Sequence, residues 1–482
     1  MLKIGILSMN SVTLSQSAKP MRTIFLLICY CCTSFGFGQT DQFTRGQLLD
    51  GLPVATEGSE TYALYLPTSY DASIENAVVF IFDPSGSGKN GIRPFITASE
   101  KFNYVLVCSN VTKNGVPYPV NFGVTSRLLK TIFAKFSIDK NQLYTAGFSG
   151  GSRLASAIAA VTGKVQGVIA CGAGLPVDKT FTPSAELFSY VALVGDEDMN
   201  YQEMFTTKAA LDQYEVPNEL LVYEDSHRWP PKEQLVRAFS WLELQAYEKK
   251  LRMVDSTFVK NYYESQYEIA DSLAHNHYQF RAVHEYKSLI NNFSNYYTLD
   301  SIQAKIDHLE NTKEYQQEVV TRASNIKEEN ARYEVFSTRF THELIKAKSF
   351  DNYKWWKKEI GKLTDEIEAE KNNQKLKMLK RLRYTVYAGI YESSVLFTNS
   401  KKYQHALYCD HVLIHFRPKQ AYWFYRLAES YARNNDLGNT ITYLKKAKEL
   451  GLQGFERVEN APVFAKYKDK RKFKKLFRDQ SK

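Results

Sequence analysis

Residues 143–151, LYTAGFSGG, decide the fold. An apolar run leads into a Gly-x-Ser-x-Gly motif, and an Ala-rich helical pattern follows it. In such a turn the serine backbone is strained, and side chains two residues either side would collide with the strand or the helix. Gly147 and Gly151 therefore fit a nucleophile elbow, which holds the hydroxyl of Ser149 above a sheet at the positive end of a helix. A Gly-rich turn that only packs closely is the alternative.

Apolar runs alternate with helical patterns on both sides of this motif. The predicted strands are residues 62–66, 77–82, 104–108, 143–146, 165–170, 190–194 and 219–223, and the predicted helices are 125–136, 151–161, 201–214 and 232–247. Several runs are apolar throughout, which is typical of strands covered on both faces. The alternation predicts an α/β fold with a mostly parallel sheet flanked by helices.

The motif and its strand–helix context give the segment from about residue 60 to 247 a family resemblance. It resembles the α/β-hydrolases, and most of all the exported esterase branch with polyhydroxybutyrate depolymerases and feruloyl-type esterases. The resemblance implies a catalytic triad in the chain order serine, acid, histidine. It implies Ser149 as the nucleophile and requires no metal or organic cofactor.

The acid of the triad is expected just after a late strand. The predicted strand 190–194 is followed by GDED, residues 195–198. The G-x-x-D spacing resembles the family pattern and favours Asp198, with Asp196 as the rival and Glu197 a weaker candidate. An acidic loop that caps the next helix is the structural alternative.

The histidine is expected after the last strand. His227 follows the predicted strand 219–223 and is the only histidine between residues 1 and 274. An isolated histidine is usually structural or solvated, but this position before a helix fits the general base. Imidazole takes the proton of the serine hydroxyl, and the carboxylate holds the imidazole in the useful tautomer.

Two backbone N–H groups must face the developing oxyanion. The resemblance implies Gly150, the residue after the nucleophile, as one donor. The second donor should follow the second predicted strand, where Pro84 lacks an N–H, so Ser85 or Gly86 is the candidate. Many family members carry His-Gly where this chain has Asp83 and Pro84, which is a departure at the oxyanion loop.

The resemblance also bears on two cysteines. In the implied fold, two other strands separate the strand ending at Cys108 from the strand ending near Cys171. Three strand spacings amount to about 14 Å, beyond the ~7 Å limit between the Cα atoms of a disulfide. Both cysteines are therefore predicted to be buried small apolar residues.

The two halves of the chain differ in composition. Residues 1–250 hold 19 of the 24 Gly and 12 of the 14 Pro and have 21 Lys+Arg against 23 Asp+Glu, a net charge of −2. Residues 251–482 have 41 against 29, a net charge of +12. This change predicts a hydrolase domain over residues 39–247 and an all-α domain over 248–482.

A 34-residue period near the C-terminus resembles a tetratricopeptide repeat. The residues that fit its large and small positions are Phe424, Leu427, Ala428, Tyr431, Leu444 and Ala447. A generic helical bundle is the alternative. Stacked repeats offer a concave surface for a protein partner. The positive charge favours an acidic partner or an anionic polymer, although a solvated basic surface is commoner.

The N-terminus carries an export pattern. Residues 21–38, MRTIFLLICYCCTSFGFG, combine a charged start, a short apolar stretch and small residues before a cleavage site at Gln39. Residues 1–38 are thus predicted as a signal region, with Met21 as the expected start; a buried N-terminal helix is the alternative. The chain is expected to be exported to the periplasm or outside the cell, with no transmembrane span in its mature form.

These observations predict an exported serine hydrolase that cleaves a carboxylic ester in a small molecule or a polymer, with a helical module for a partner and no nucleic acid. A serine peptidase on the same fold is one alternative, and a binding protein with a degenerate hydrolase domain is another. The loop residues expected to line the substrate pockets are Tyr118, Asn121, Phe122 and Trp229.

Overall fold

The computed structural model describes residues 43–55, 58–183 and 188–478. The predicted signal region, residues 1–38, lies outside the described residues. Contacts divide the chain into two units, whose described parts run from residue 43 to 320 and from 321 to 478. Within the described part, no helix combines the length and the apolar character needed to cross a membrane.

An eight-stranded sheet forms the centre of the first unit. Its strands are β1 Leu48–Pro53, β2 Thr61–Tyr65, β3 Asn76–Phe82, β4 Tyr104–Ser109, β5 Ile138–Phe148, β6 Gly167–Cys171, β7 Ser189–Gly195 and β8 Asn218–Tyr223. Their order across the sheet is β1-β2-β4-β3-β5-β6-β7-β8. The pairs β1–β2 and β2–β4 are antiparallel and the other pairs are parallel. The seven predicted strands are confirmed, with shifted ends. Strand β1 was not predicted.

Helices cover both faces of the sheet. They are α1 Gly88–Ile92, α2 Ile96–Phe102, α3 Tyr118–Lys135, α4 Gly150–Thr162, α5 Tyr201–Gln213, α6 Lys232–Glu248, α7 Ser256–His275, α8 Gln279–Phe293 and α9 Asp300–Glu310. Helices α3, α4 and α5 share a core with Val78 and Phe80. Helices α1, α2 and α6 to α9 share the opposite core with Val79 and Ile81, because successive strand residues point to opposite faces. The predicted α/β fold class, a mostly parallel sheet flanked by helices, is confirmed.

Helix α8 lies along the open edge of β8. Nε2 of His284 lies 2.9 Å from the carbonyl oxygen of Leu220, and the guanidinium of Arg281 donates to the carbonyl of Val222 at 3.1 Å. These side chains occupy carbonyl groups that an uncovered edge strand would offer to another chain. The first unit therefore runs to residue 320, beyond the boundary predicted at Tyr247, because α7 to α9 share a core with the sheet.

The second unit is all-helical. Its helices are α10 Lys313–Ile345, which begins before the division, α11 Lys354–Ala369, α12 Asn373–Asn399, α13 Tyr403–Leu413, α14 Ala421–Arg433, α15 Leu437–Glu449 and α16 Arg471–Arg478. One core surrounds Trp356, and a second core joins Ala428 of α14 to Leu444 of α15. Burial of these residues is compatible with the predicted tetratricopeptide-like repeat, which stays a prediction.

The buried cysteines lie where the implied fold puts them. Cys108 is in β4 and Cys171 ends β6, with β3 and β5 between these two strands. Both are free thiols in the described structure, as is Cys409. Burial raises the pKa of the Cys108 and Cys171 thiols, so neither supplies a thiolate nucleophile near neutral pH.

Candidate active site

Ser149 lies in the sharp turn between β5 and α4. Its backbone has φ of 54° and ψ of −121°, in the left-handed half of conformational space that side chains rarely adopt. A Cβ on Gly147 would lie 2.2 Å from the carbonyl oxygen of Gly151, and a Cβ on Gly151 would lie 2.0 Å from that of Phe82. Glycine is needed at both positions because the chain passes too closely for any side chain. The N–H of Ser149 donates to the carbonyl of Cys171 at 2.8 Å, which ties the turn to β6.

Asp198 ends a tight turn after β7. Its carboxylate oxygens lie 2.8 and 2.9 Å from Nδ1 of His227, and its side chain is 1% exposed. The N–H of Asn200 donates to Oδ1 at 2.8 Å, and the N–H of Asp198 donates to the carbonyl of Gly195 at 3.1 Å. These bonds fix the carboxylate in one orientation toward the imidazole.

The rival acids after β7, Asp196 and Glu197, make different contacts. The carboxylate of Asp196 lies 4.0 Å from the guanidinium of Arg281, and its backbone N–H donates to the carbonyl of Tyr223 at 2.8 Å. The N–H of Glu197 donates to the carbonyl of Asp225 at 3.0 Å. The turn thus separates two aspartates that a straight strand would direct to the same side.

His227 joins the acid to the serine. Its Nε2 lies 3.1 Å from Oγ of Ser149, while Nδ1 faces Asp198. Its ring packs against Phe148 at a centroid distance of 4.6 Å, and Trp229 contacts the same phenylalanine at 5.3 Å. The histidine side chain is 7% exposed, so its partners are shielded from most of the solvent. The structure brings Ser149, Asp198 and His227 together in one hydrogen-bonded chain.

The loop after β3 is organised by Asp83. Its Oδ1 accepts the N–H of Ser85 at 2.9 Å, and its carbonyl accepts the N–H of Gly86 at 3.1 Å. Its Oδ2 accepts the indole N–H of Trp229 at 3.1 Å, which links this loop to the histidine loop. Ser85 and Gly86, the two alternatives for the second oxyanion donor, therefore both direct their N–H groups to Asp83. Gly150 stands at the start of α4, where helical N–H groups lack intrahelical acceptors.

A cleft of about 150 Å³ opens beside Gly150. Its walls are the end of β3, the loop after β4 and the starts of α3 and α4, and its polar lining includes Asp83, Thr112, Lys113, Asn114, Asn121 and Arg153. Tyr118 and Asn121 lie in the wall as predicted, whereas Phe122 packs against Phe181 with ring centroids 6.0 Å apart. Asn114 was not among the predicted site residues, because an exposed loop asparagine has no sequence signature.

The solved structures similar to this chain each cover less than half of it. No protein-family model matches the chain, and no curated protein matches it by sequence. Similar solved structures include a feruloyl esterase module from Clostridium thermocellum (14% identity, 38% of this chain and 83% of that chain, TM-score 0.32) and an S-formylglutathione hydrolase from Staphylococcus aureus (14%, 41% and 95%, 0.33). A Pyrobaculum calidifontis esterase is similar over 48% of this chain and 94% of its own (13% identity, TM-score 0.36). We draw no functional conclusion from likeness at this level.

Proposed function

We propose that the chain is a serine hydrolase that cleaves a carboxylic ester. The observation that carries this proposal is the hydrogen-bonded chain from Oγ of Ser149 through His227 to Asp198, with the serine in a strained turn at a helix start. Each residue has a chemical role that its neighbours support. A buried, solvated or purely structural histidine would not need both a serine hydroxyl and an oriented carboxylate at its two nitrogens.

The reaction follows from the atoms in contact. Nε2 of His227 takes the proton of Ser149 as Oγ attacks the ester carbonyl, and the carbonyl electrons move to the oxygen. Asp198 accepts the Nδ1–H, which holds the productive tautomer and stabilises the imidazolium. The N–H of Gly150 donates to the oxyanion. The imidazolium then protonates the leaving alcohol, and water repeats the sequence to release the acid.

Steady-state hydrolysis of p-nitrophenyl butyrate tests this proposal. We expect turnover by the wild type and a loss of about 10⁴-fold or more in Ser149→Ala, since the nucleophile is removed. Ser126→Ala, the same change within α3, is the matched control and should retain activity. Full activity in a folded Ser149→Ala protein would refute the serine mechanism.

The choice of ester over amide is part of the proposal, and the matched p-nitroanilide tests it. Acyl transfer to water is shared by esterases and peptidases, so the triad alone serves both. We expect measurable turnover of the butyrate ester and at least about 10³-fold slower turnover of the anilide, because the amide is the harder bond to break. Comparable rates on both substrates would instead favour a peptidase.

Export is the second element of the proposal. It is supported by the charged start and the short apolar stretch of residues 21–38, with periplasm or extracellular space as the destination. Cell fractionation tests it with Leu26→Arg/Leu27→Arg, which interrupts the apolar stretch. We expect the wild type outside the cytoplasm, processed before Gln39, and the double variant retained. Equal distribution of the two proteins would contradict export.

Partner binding by the helical module is the third element. It is supported by the repeat-like spacing around Ala428 and Ala447 and by the +12 net charge of residues 251–482. An acidic protein partner would dissociate as salt rises, because exposed charges are screened. Salt-dependent cross-linking of a partner in the native host tests this element. Capture that is insensitive to salt would contradict an electrostatic partner.

A further inference from the structure

The loop after β3 leaves the candidate oxyanion site with one obvious backbone donor. Ser85 directs its N–H to the carboxylate of Asp83 at 2.9 Å, and Gly86 directs its N–H to the Asp83 carbonyl at 3.1 Å. The hydroxyl of Ser85 also donates to Asp83 Oδ1, at 2.5 Å. Of the three predicted donors, Gly150 alone keeps its N–H without an acceptor in the described part of the chain, at the start of a helix. A developing oxyanion is stabilised best by two or more fixed donors.

A side-chain amide occupies the space above Gly150. A Cβ built on Gly150 would lie 2.0 Å from Oδ1, 2.6 Å from Cγ and 2.8 Å from Nδ2 of Asn114. The amide therefore rests against the residue that follows the nucleophile, in the wall of the cleft. Rotation about the Cβ–Cγ bond exchanges the two amide atoms, so either can face the cleft.

The backbone holds this asparagine in place. The N–H of Asn114 donates to the carbonyl of Pro84 at 2.9 Å, which fastens the loop after β4 to the loop after β3. Nδ2 of Asn121 donates to the carbonyls of Lys113 and Val116, both at 3.3 Å, and supports the loop on either side. Within the described structure, the side chain of Asn114 has no hydrogen-bond partner of its own. Its amide is thus positioned and available.

We infer that Nδ2 of Asn114 donates the second hydrogen bond to the oxyanion, beside the N–H of Gly150. The inference rests on the proposed serine mechanism and adds a catalytic residue to it. When Oγ of Ser149 bonds to the carbonyl carbon, the carbonyl electron pair moves to oxygen, and the Ser149 proton goes to Nε2 of His227. The amide N–H and the Gly150 N–H bind that oxygen until the pair returns and the alkoxy group leaves with the proton.

Substitutions of Asn114 test the inference on p-nitrophenyl butyrate. Asn114→Ala should lower kcat by about 10²–10³-fold with KM within about threefold, because the donor acts on the transition state. Asn114→Asp has nearly the same shape and offers no N–H, so it should be at least as impaired. Asn291→Ala replaces an exposed asparagine in α8 and is the matched control. Its kcat and KM should equal those of the wild type.

A transition-state analogue provides an independent readout. Butylboronic acid forms a tetrahedral adduct on a serine oxygen, and its inhibition constant should rise in Asn114→Ala by a factor similar to the fall in kcat. Gly150→Ala places a methyl group where the amide lies, so it should lose a similar factor. The double variant Gly150→Ala/Asn114→Ala should lose little more than either single variant, because both remove the same donor.

The outcomes separate this inference from the proposed function. A wild type that neither hydrolyses the ester nor binds the boronic acid refutes both. An active wild type with near-normal Asn114→Ala, or with Asn114→Asp close to wild type while Asn114→Ala is impaired, overturns the donor role and leaves the serine mechanism standing. Unchanged boronic acid inhibition in a slow Asn114→Ala also overturns it.

Discussion

Two histidines, one in each unit, have contrasting surroundings. His227 follows the last strand of the sheet and lies between the hydroxyl of Ser149 and the carboxylate of Asp198. His411 lies inside α13, stacks on Tyr353 at a centroid distance of 4.4 Å and hydrogen-bonds to Tyr431. Burial and the nearby His415 lower the pKa of His411 to about 4. The position after a strand, more than the residue type, distinguishes the histidine of the proposed site from the histidine of the helical core.

Buried charges repeat this contrast. In the first unit, the carboxylate of Asp198 is oriented toward the imidazole of His227. In the second unit, Asp410 is 2% exposed and binds Arg426 at 2.9 Å, with Ser394 donating to it at 2.6 Å. The first arrangement ends at the hydroxyl of Ser149, and the second joins side chains of neighbouring helices. Polar groups of the second unit are therefore expected to affect stability and not turnover.

The extent of the first unit gives the largest expected effect. A chain of residues 39–247 would expose Trp241, which is 1% exposed and donates to Asn292 of α8 at 2.9 Å. It would also uncover the edge of β8. Burial of each large apolar side chain contributes roughly 1.5–3 kcal/mol. The burial free energy lost with the three helices α7 to α9 therefore exceeds a typical net free energy of unfolding of about 5–15 kcal/mol. We expect residues 39–247 to be insoluble or unfolded and residues 39–320 to fold, as measured by circular dichroism and thermal unfolding.

The fragment of residues 39–247 tests where the first unit ends. A soluble 39–247 fragment with a cooperative transition would restore the boundary at Tyr247. Its core would then be independent of α7 to α9.

The acid of the triad gives the next largest effect. Asp198→Asn should lower kcat/KM by about 10⁴-fold, because the imidazole takes the wrong tautomer. Asp196→Asn is the matched control, two residues away and facing Arg281, and should lose less than about tenfold. Both are measured on the same p-nitrophenyl ester. The reverse ranking would assign the role to Asp196, and two near-normal variants would mean that another acid serves His227.

The fold and the proximity of Ser149, Asp198 and His227 could be predicted because their signals are local. Buried parallel strands are apolar throughout, the elbow needs glycines at Gly147 and Gly151, and acid and histidine follow identifiable strands. Which aspartate faces His227 depended on the turn from residue 195 to 198, where spacing favoured Asp198 and the structure brings that residue to the imidazole.

Other features depend on tertiary contacts that leave no local pattern. An amphipathic helix such as α8 has the same periodicity whether it packs on a sheet or on another helix, so the extent of the first unit was not readable. The carboxylate of Asp83 takes up N–H groups of its own loop, and Asn114 reaches Gly150 from a different loop. No fixed spacing between residues in the sequence indicates either contact.

The ion pair of the second unit should have an effect on stability alone. Asp410→Ala leaves Arg426 buried without its carboxylate, which typically costs about 3–5 kcal/mol. Thermal unfolding of the full chain should show the helical transition shifted down, while hydrolysis of p-nitrophenyl butyrate stays within about twofold. Asp436→Ala, at the half-buried N-cap of α15 in the same unit, should cost only about 1 kcal/mol. A large loss of turnover in Asp410→Ala would contradict the division of roles.

Acid should weaken the second unit through His411. Its folded pKa of about 4 lies below the ordinary value near 6.5, so the unfolded chain binds the proton first. Stability therefore falls as pH drops from about 6.5 to 4, by roughly 3 kcal/mol at most. Urea unfolding at pH 7 and pH 4.5 measures this, and His411→Gln should flatten the dependence while exposed His308→Gln should not. If the free energy of unfolding of His411→Gln depended on pH as strongly as that of the wild type, the assignment of this dependence to His411 would be contradicted.

The most direct test of the central claim is intact mass spectrometry after reaction with a fluorophosphonate, followed by peptide mapping. The probe phosphonylates a serine only when a neighbouring base activates it. We predict one adduct per chain, on Ser149, lost in His227→Ala and reduced in Asp198→Asn. An unlabelled wild type, or an adduct on another residue, would contradict the assignment of Ser149 as the nucleophile.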